Sequence, residues 1–352
     1  MPSYANKQRG LALILVLFIF ALVSLLAVSM QKRQVMSMVQ ASATFNRTQA
    51  MLLAVSAEDI AKAFLKLDGK RDIDQNEPWD GAVELWNQPF TTELSGAEVF
   101  INIRDLQGLF NLNSLMPGDN AEEARQRFER LLGNLSLPTS ASTSTIAQET
   151  KNWLDKNSSA NNTYQNLTPS YSASGFEFSH PSELLLLESV DRETYLVIEP
   201  YVTALPIDTL LNINTTHENI LQAWDVKLTQ ADAKTVVDVA RAGSCGLKVR
   251  NDNMFTKPEE LLEQDAIEDL VDPVQNKDGY ENWKEAKDFT VQSNYFSVMI
   301  QIKIKQDSDS SELILESIIK RDMGQDGFIG VVYRDFSRKI EDITTRLKII
   351  NC

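Results

Sequence analysis

Histidine and cysteine are almost missing from this chain, with two of each in 352 residues. Cys245 and Cys352 form no Cys-x-x-Cys pair and no cluster with the histidines, so neither a structural zinc site nor thioredoxin-type redox chemistry has support. An even pair fits one Cys245–Cys352 disulfide in an oxidising compartment; two separate thiols are the alternative. His180, ahead of Pro181, and His217, at the start of a helical stretch, suit capping or surface roles better than that of a base. No G-x-S-x-G, P-loop or H-E-x-x-H occurs, and the chain is not expected to be an enzyme. Basic charge is scarce as well: 34 Lys and Arg stand against 49 Asp and Glu, a formal net charge of −15. Such a polyanion repels nucleic acid and anionic headgroups.

The little basic charge near the start is grouped at Lys7–Arg9 and Lys32–Arg33, and between these groups lies a long hydrophobic run. Leu11 to Met30 contains no charged residue, and fourteen of its residues are Leu, Ile, Val or Phe. As a helix it spans roughly 30 Å, the thickness of a hydrocarbon core. At about −0.3 to −0.6 kcal/mol per such residue, insertion is favourable by several kcal/mol. A cleaved secretory signal has a shorter apolar core and an A-x-A site close to it, whereas Ala41-Ser42-Ala43 lies beyond Lys32-Arg33. A plain signal anchor is a second reading. The basic leader favours a cytoplasmic N-terminus and a soluble body on the other side.

Basic residues, then Gly10, then the apolar run without a gap resemble the leader of type IV pilins and type II secretion pseudopilins. That resemblance implies cleavage by prepilin peptidase between Gly10 and Leu11 and N-methylation of Leu11. Most pilin-like subunits carry a glutamate at the fifth mature position, where this chain has Leu15. A mid-membrane carboxylate costs about 2.5–3.5 kcal/mol and needs a partner charge. Its absence is similar to the minor pseudopilin K family of type II secretion.

Beyond Met30, Leu53, Ala57, Ile60, Phe64 and Leu67 form a helical stripe that predicts one helix from the membrane to about Leu67. A loop rich in Asp and Asn is expected over 68–80. Residues 97–103 alternate as a half-buried strand and lead into Asp105-Leu106-Gln107-Gly108-Leu109-Phe110-Asn111-Leu112-Asn113-Ser114-Leu115, where Gly108 suits a tight turn and the Asp and Asn residues suit caps. Helical patterns return over 121–155, and 156–180 reads as a long surface loop. Leu211-Asn212-Ile213-Asn214-Thr215 opens a second helical unit that ends near Phe255-x-x-Pro-Glu-Glu-Leu261 and resembles a helix-hairpin-helix, or SAM-like, module. The turn Asp225–Leu228 lacks the glycines that hold phosphate in DNA-binding hairpins, so protein contact or scaffolding is expected. Alternating patterns at 289–300, 312–320 and 328–333 then predict three strands.

The Asp105–Leu115, Leu211–Thr216 and Ser293-Asn294-Tyr295-Phe296 phrases also resemble the K family, and with Gly10 they cover nearly the whole chain. The resemblance implies an α+β, pilin-like fold: a long N-terminal helix, transmembrane in its first half, packed on a small antiparallel sheet, with a large all-α insertion. The expected division is a leader at 1–10, a transmembrane half-helix at 11–30, pilin-like parts at 31–115 and 273–352, and helical inserts at 116–210 and 211–272. It further implies a single-pass inner-membrane protein of a Gram-negative bacterium with a periplasmic body, placed at the pseudopilus tip. There it would start and cap assembly with the I, J and H minor pseudopilins and the major pseudopilin, supporting export of folded proteins across the outer membrane. A membrane-anchored DNA-uptake protein is the alternative, favoured by the hairpin resemblance and disfavoured by the net charge. A structural Ca2+ is implied too, with Asp322 and Asp326 around Gly324, or acids within 265–278, as candidates. Asp72-x-Asp74-x-Asn76 begins like an EF-hand, but Glu77 stands where glycine is required.

Overall fold

The computed structural model describes residues 9–75, 79–241, 254–276, 279, 281, 283–306, 309–322 and 327–336. Helix α1 (Arg9–Gln75) is continuous for 67 residues. Its large apolar side chains from Leu11 to Met30 are exposed, the arrangement of a helix whose neighbour is lipid, and α1 is long and apolar enough to cross a membrane. Higher up, one face turns inward. Ala50, Leu53, Ala54, Ala57, Ala61 and Leu65 are buried, whereas Leu67 is exposed, so the packed stripe is mainly alanine and is rotated from the one the larger apolar residues suggest. Small side chains let a sheet approach the helix closely, which counts for more than the size of any one apolar residue.

That sheet has five antiparallel strands in the order β1 (Phe90–Leu94), β2 (Ala97–Asp105), β7 (Tyr295–Gln306), β8 (Asp309–Asp322) and β9 (Phe328–Asp335). Its first hairpin joins β1 (Phe90–Leu94) to β2 (Ala97–Asp105) through Ser95 and Gly96, both at positive φ as a two-residue primed turn requires. The chain leaves the sheet after β2 and rejoins it at β7 (Tyr295–Gln306), which pairs with β2 from Ala97↔Ile304 to Asp105↔Phe296. Strands β8 (Asp309–Asp322) and β9 (Phe328–Asp335) complete it. Alternate residues (Val99, Ile101 and Ile103; Val298, Ile300 and Ile302; Leu315 and Ile319) pack with the alanine face of α1 into one core.

Residues 106–294 form the insertion. It contains α2 (Ala121–Asn134), α3 (Thr143–Leu154), α4 (Arg192–Ile198), α5 (Glu218–Gln222), α6 (Gln230–Arg241) and α7 (Asp265–Val271). It is not wholly helical. Two short parallel pairs, β3 (Phe110–Asn111) with β4 (Val202–Thr203) and β5 (Leu211–Asn212) with β6 (Phe289–Thr290), pin distant segments together. A core separate from that of the sheet includes Phe110 stacked on Phe128 at 5.4 Å and Trp283 stacked on Phe289 at 5.8 Å. The stretch read as a surface loop is fastened: Tyr164 and Phe178 are buried, and Tyr164 meets Trp153 edge-on. Aromatic residues in a polar segment therefore act as anchors.

One charge is buried against the alanine face. Glu58, fully enclosed on α1, accepts hydrogen bonds from Ser317 Oγ at 2.6 Å and from Arg334 Nε and Nη2 at 2.8 and 2.7 Å. Burial pushes its carboxyl upward most, but the Arg334 and Ser317 bonds prevail and hold it below the usual carboxylate range. Glu58→Ala strands both donors and is expected to cost about 1–3 kcal/mol. Thermal unfolding of the purified full-length protein checks this; an unchanged midpoint would remove Glu58 from the set of fold-determining residues.

Candidate functional site

Three sequence phrases far apart in the chain converge on one carboxylate. Asp105, at the end of β2, is buried; its Oδ2 accepts from Asn212 Nδ2 at 3.0 Å, Ser293 Oγ at 2.6 Å and Thr215 Oγ1 at 2.5 Å, and its Oδ1 from Gln107 N at 2.7 Å. Asn212 adds bonds to Asp80 O and Ser293 Oγ, so the entry to the insertion, its second helical unit and its exit share one polar hub. Burial raises the Asp105 pKa to about 6 against the pull of the Ser293 and Thr215 hydroxyls, with the Asp80 charge adding to the rise. Gly108 is required here by crowding. A Cβ would lie 2.6 Å from Thr215 Oγ1 and 2.8 Å from Thr215 O, and the residue has no positive φ. A second hub uses Asn113, which donates to Phe178 O and Leu205 O and accepts from Phe178 N.

Behind the Asp105 hub lies an acidic cluster that sequence reading missed. The expected loop after Leu67 is still helix, and the buried face of α1 continues from Leu65 into Asp68 and Asp72. Facing them are Asp80 and Glu84 from the segment that leads to β1, both buried. Arg321, on β8, closes the group: its Nη2 donates to Asp80 Oδ1 and to Ser293 O, and its Nη1 to Asp68 Oδ2 at 3.1 Å. These bonds carry the helix past Gly69. The pattern available in the sequence was the i, i+3 and i, i+7 continuation of the Leu65 face into Asp68 and Asp72. Burial, then the charge of Asp80, raises Asp68 to about 6. Burial, then the charges of Asp68 and Asp80, raises Asp72 to about 7 and lifts Glu84 well above the usual range. Among the described residues, one ligand oxygen each from Asp68, Asp80 and Glu84 lie within 4.8 Å of one another.

The residues singled out from sequence are scattered. Gly10 and Leu11 lie in the first turns of α1, and Leu15 is exposed on the same helix. Asp322 is the last residue of β8, opposite Phe328, while Asp326, Cys245 and Cys352 lie outside the described residues. Asp72 sits in helix and not in an EF-hand loop. Both histidines are N-caps: His180 accepts from Ser182 N ahead of Pro181–Leu186, and His217 accepts from Asn219 N at the start of α5. In the α5–α6 turn, Asp225 points inward and accepts from Asn276 Nδ2 and Trp283 Nε1.

A continuous helix, exposed along its apolar end and packed higher up on an antiparallel sheet that a helical insertion interrupts, defines a pilin-like subunit whose apolar end fits a transmembrane anchor. Comparison with known proteins narrows the class. A family model described as type II secretion system (T2SS), protein K, matches residues 108–207. Type II secretion system protein K of Klebsiella pneumoniae is 31% identical over 257 residues, covering 67% of this chain and 76% of that protein. The Pseudomonas aeruginosa protein of the same name is 27% identical over 342 residues, 94% of this chain and 93% of its own. The fold matches a chain in the crystal structure of the GspK–GspI–GspJ complex from the enterotoxigenic Escherichia coli type 2 secretion system, with TM-score 0.67, 22% identity, and coverage of 85% of this chain and 100% of that one. The chain belongs to the type II secretion system protein K family.

Two outcomes are expected. Gly108→Ala forces the Thr215 backbone away and destabilises by about 1–3 kcal/mol, seen as a lowered thermal midpoint; an unchanged midpoint would contradict the crowding. The second concerns pH. A carboxyl whose folded pKa is raised stabilises the fold fully below its unfolded value of about 4 and loses that contribution as pH rises through the folded value. For Asp68, Asp72 and Asp105 that loss falls at about pH 6, 7 and 6. His217, whose pKa burial lowers, opposes the trend as one group against four. The midpoint in metal-free buffer should therefore fall from pH 5 to pH 8, and Asp72→Asn should flatten the slope; a midpoint that rises over this range would contradict the cluster.

Proposed function

We propose that this chain is a minor pseudopilin of the type II secretion system, standing at the pseudopilus tip and starting and capping assembly. The observation that carries the reading is where the insertion leaves the body. It departs at Asp105 and returns at Tyr295, at the end of the sheet where Arg321 of β8 meets Asp68 near the last turns of α1. This is the end opposite the apolar run, so the described residues of the insertion sit on the side away from the apolar end of the helix. A stacked helical subunit leaves that side free for the next copy; here the insertion fills it. Leu15 supports the same position. A subunit that enters first has no earlier neighbour whose N-terminus needs a glutamate partner, and leucine removes the cost of a mid-membrane carboxylate.

On this reading prepilin peptidase cuts between Gly10 and Leu11 and Leu11 is methylated. The helix then crosses the inner membrane once, with its start in the cytoplasm and its body in the periplasm of a Gram-negative cell. The upper part of α1 carries exposed Val35, Met36, Met38, Val39, Phe45 and Leu52, a surface suited to the helices of I, J and H minor pseudopilins and of the major pseudopilin. The similar solved structure is that of a complex with GspI and GspJ. The role needs no catalysis: the subunit positions others and supports export of folded proteins across the outer membrane.

Two measurements bear on it. Mass spectrometry of the protein from native membranes should give a mature chain beginning at methylated Leu11; an intact Met1 would overturn the pilin-type processing. Gold-labelled antibody against the insertion should decorate one end of isolated pseudopili, and labelling along the shaft would overturn the tip position.

A further inference from the structure

We propose that a cleft in the insertion binds an extended protein segment that presents an arginine or lysine side chain flanked by apolar residues. The cleft lies between the start of α2, residues 205–211 and Trp224, and its volume is about 420 Å3, within the range of ligand pockets. Leu109, Phe110, Leu205, Leu211 and Trp224 give it apolar walls. Ile207 and Leu210 also line it and are 40% and 41% exposed, so apolar surface continues outward to its mouth.

Charge selects the occupant. Four carboxylates line the cleft, Asp119, Glu123, Asp208 and Asp288, against two cations, Arg127 and Lys287, which leaves it two positive charges short. Arg127 is spent inside the fold. It is buried, lies over the Trp224 ring at 4.6 Å, and donates to Asp288 Oδ2 at 2.8 Å and to Glu123 Oε1. Asp288 Oδ2 also accepts from Trp224 Nε1 at 3.3 Å, so this carboxylate is pinned through one oxygen. Its Oδ1 accepts no hydrogen bond among the described residues, and the side chain is 23% exposed. Asp119 and Asp208 are exposed beside it.

An oriented carboxylate with a free oxygen, set against apolar walls, suits a basic side chain, whose methylene stem takes the apolar contact and whose head takes the charge. An anionic ligand would meet two uncompensated negative charges instead. A protein segment suits the site better than a free amine because Ile207 and Leu210 offer contact to the residues on either side of the basic anchor. The formal charge of −15 on the whole chain draws a basic partner in. The inference stands whether or not the subunit lies at a tip, and the cleft shares no residue with the acidic cluster of α1.

The test immobilises full-length protein in detergent and offers pools of capped pentapeptides with Arg, Lys, Gln, Glu or Leu fixed at the centre and the other positions mixed. Retention of the Arg and Lys pools about tenfold above the Gln pool is expected. Asp288→Asn should lower that retention about tenfold and the Asp119→Asn/Asp208→Asn double variant severalfold, while Lys287→Ala should raise it by removing a competing charge. The amide carbonyl of the Asp288→Asn variant still accepts from Arg127 and Trp224; if its thermal midpoint nevertheless falls, the double variant of the two exposed acids decides. Glu263→Gln, an exposed acid that does not line the cleft, should leave retention unchanged. The proposal is overturned if the Gln, Glu or Leu pool is retained as well as the Arg pool, or if retention survives both Asp288→Asn and the double variant. It is also overturned if Glu263→Gln lowers retention as much as they do, which would mean general attraction to an acidic surface. Displacement of the Arg pool by N-acetylarginine amide as readily as by the peptides themselves would overturn the protein segment as the occupant.

Discussion

The guanidinium of Arg321 holds together parts of the chain that are otherwise separate. It is 3% exposed, donates to Asp80, Asp68 and Ser293 O, and lies over the Phe296 ring at 4.7 Å. Those partners belong to the long helix, the segment before the first strand, the exit from the insertion and the start of β7. A buried cation without such partners would cost several kcal/mol, so each contact constrains where the others can be. Asp68 and Asp80 neutralise the buried charge, while the Ser293 carbonyl and the Phe296 ring fix its orientation. Having gathered four acids in a buried place, the site exceeds the positive charge that two arginines supply, and its contribution to stability is expected to vary with pH.

The arrangement explains how an insertion larger than its host sheet is carried without loosening it. Strands β2 and β7 are neighbours in the sheet, so the insertion leaves and returns at adjacent points and leaves the strand order intact. The Asp105 hub then ties the join together: its acceptors are satisfied by residues from the entry, middle and exit of the insertion. The helical units have their own aromatic core, so the join positions a body that packs independently.

Much of this was legible in the sequence, for identifiable reasons. The apolar run, the alternating strands and the interruption of a sheet by helices follow from periodicity, and Asp105–Leu115, Leu211–Thr216 and Ser293–Phe296 were legible as phrases through their resemblance to the K family; the structure brings all three to one polar hub. What each residue does there was not legible. Gly108 reads as a turn glycine, whereas Thr215, more than a hundred residues away, is what excludes a side chain. The end of α1 was placed too early because Gly69 and a run of acids look like a break, while a guanidinium on β8 gives those acids a helical use. The packed face of α1 was legible in part: Leu53 and Ala57 are buried and Ile60 and Phe64 pack against the same core, but Ala50, Ala54 and Ala61 were missed because alanine carries little hydrophobic signal, although close approach to a sheet demands it. Among the described residues the acids that gather in space are Asp68, Asp80 and Glu84, whose proximity no local pattern encodes; Asp326, the expected partner of Asp322, lies outside them.

Physical design and proposed role meet at the distal end. A charged hub holds the insertion where a following subunit would stack, and the membrane end lacks the carboxylate that would engage a preceding one. On the proposed tip reading, a chain built this way would occupy one position per filament. Quantitative mass spectrometry of this chain against the major pseudopilin, in pseudopili separated by length, tests that directly. The account predicts a ratio that falls in inverse proportion to length, and a ratio constant across lengths would contradict it.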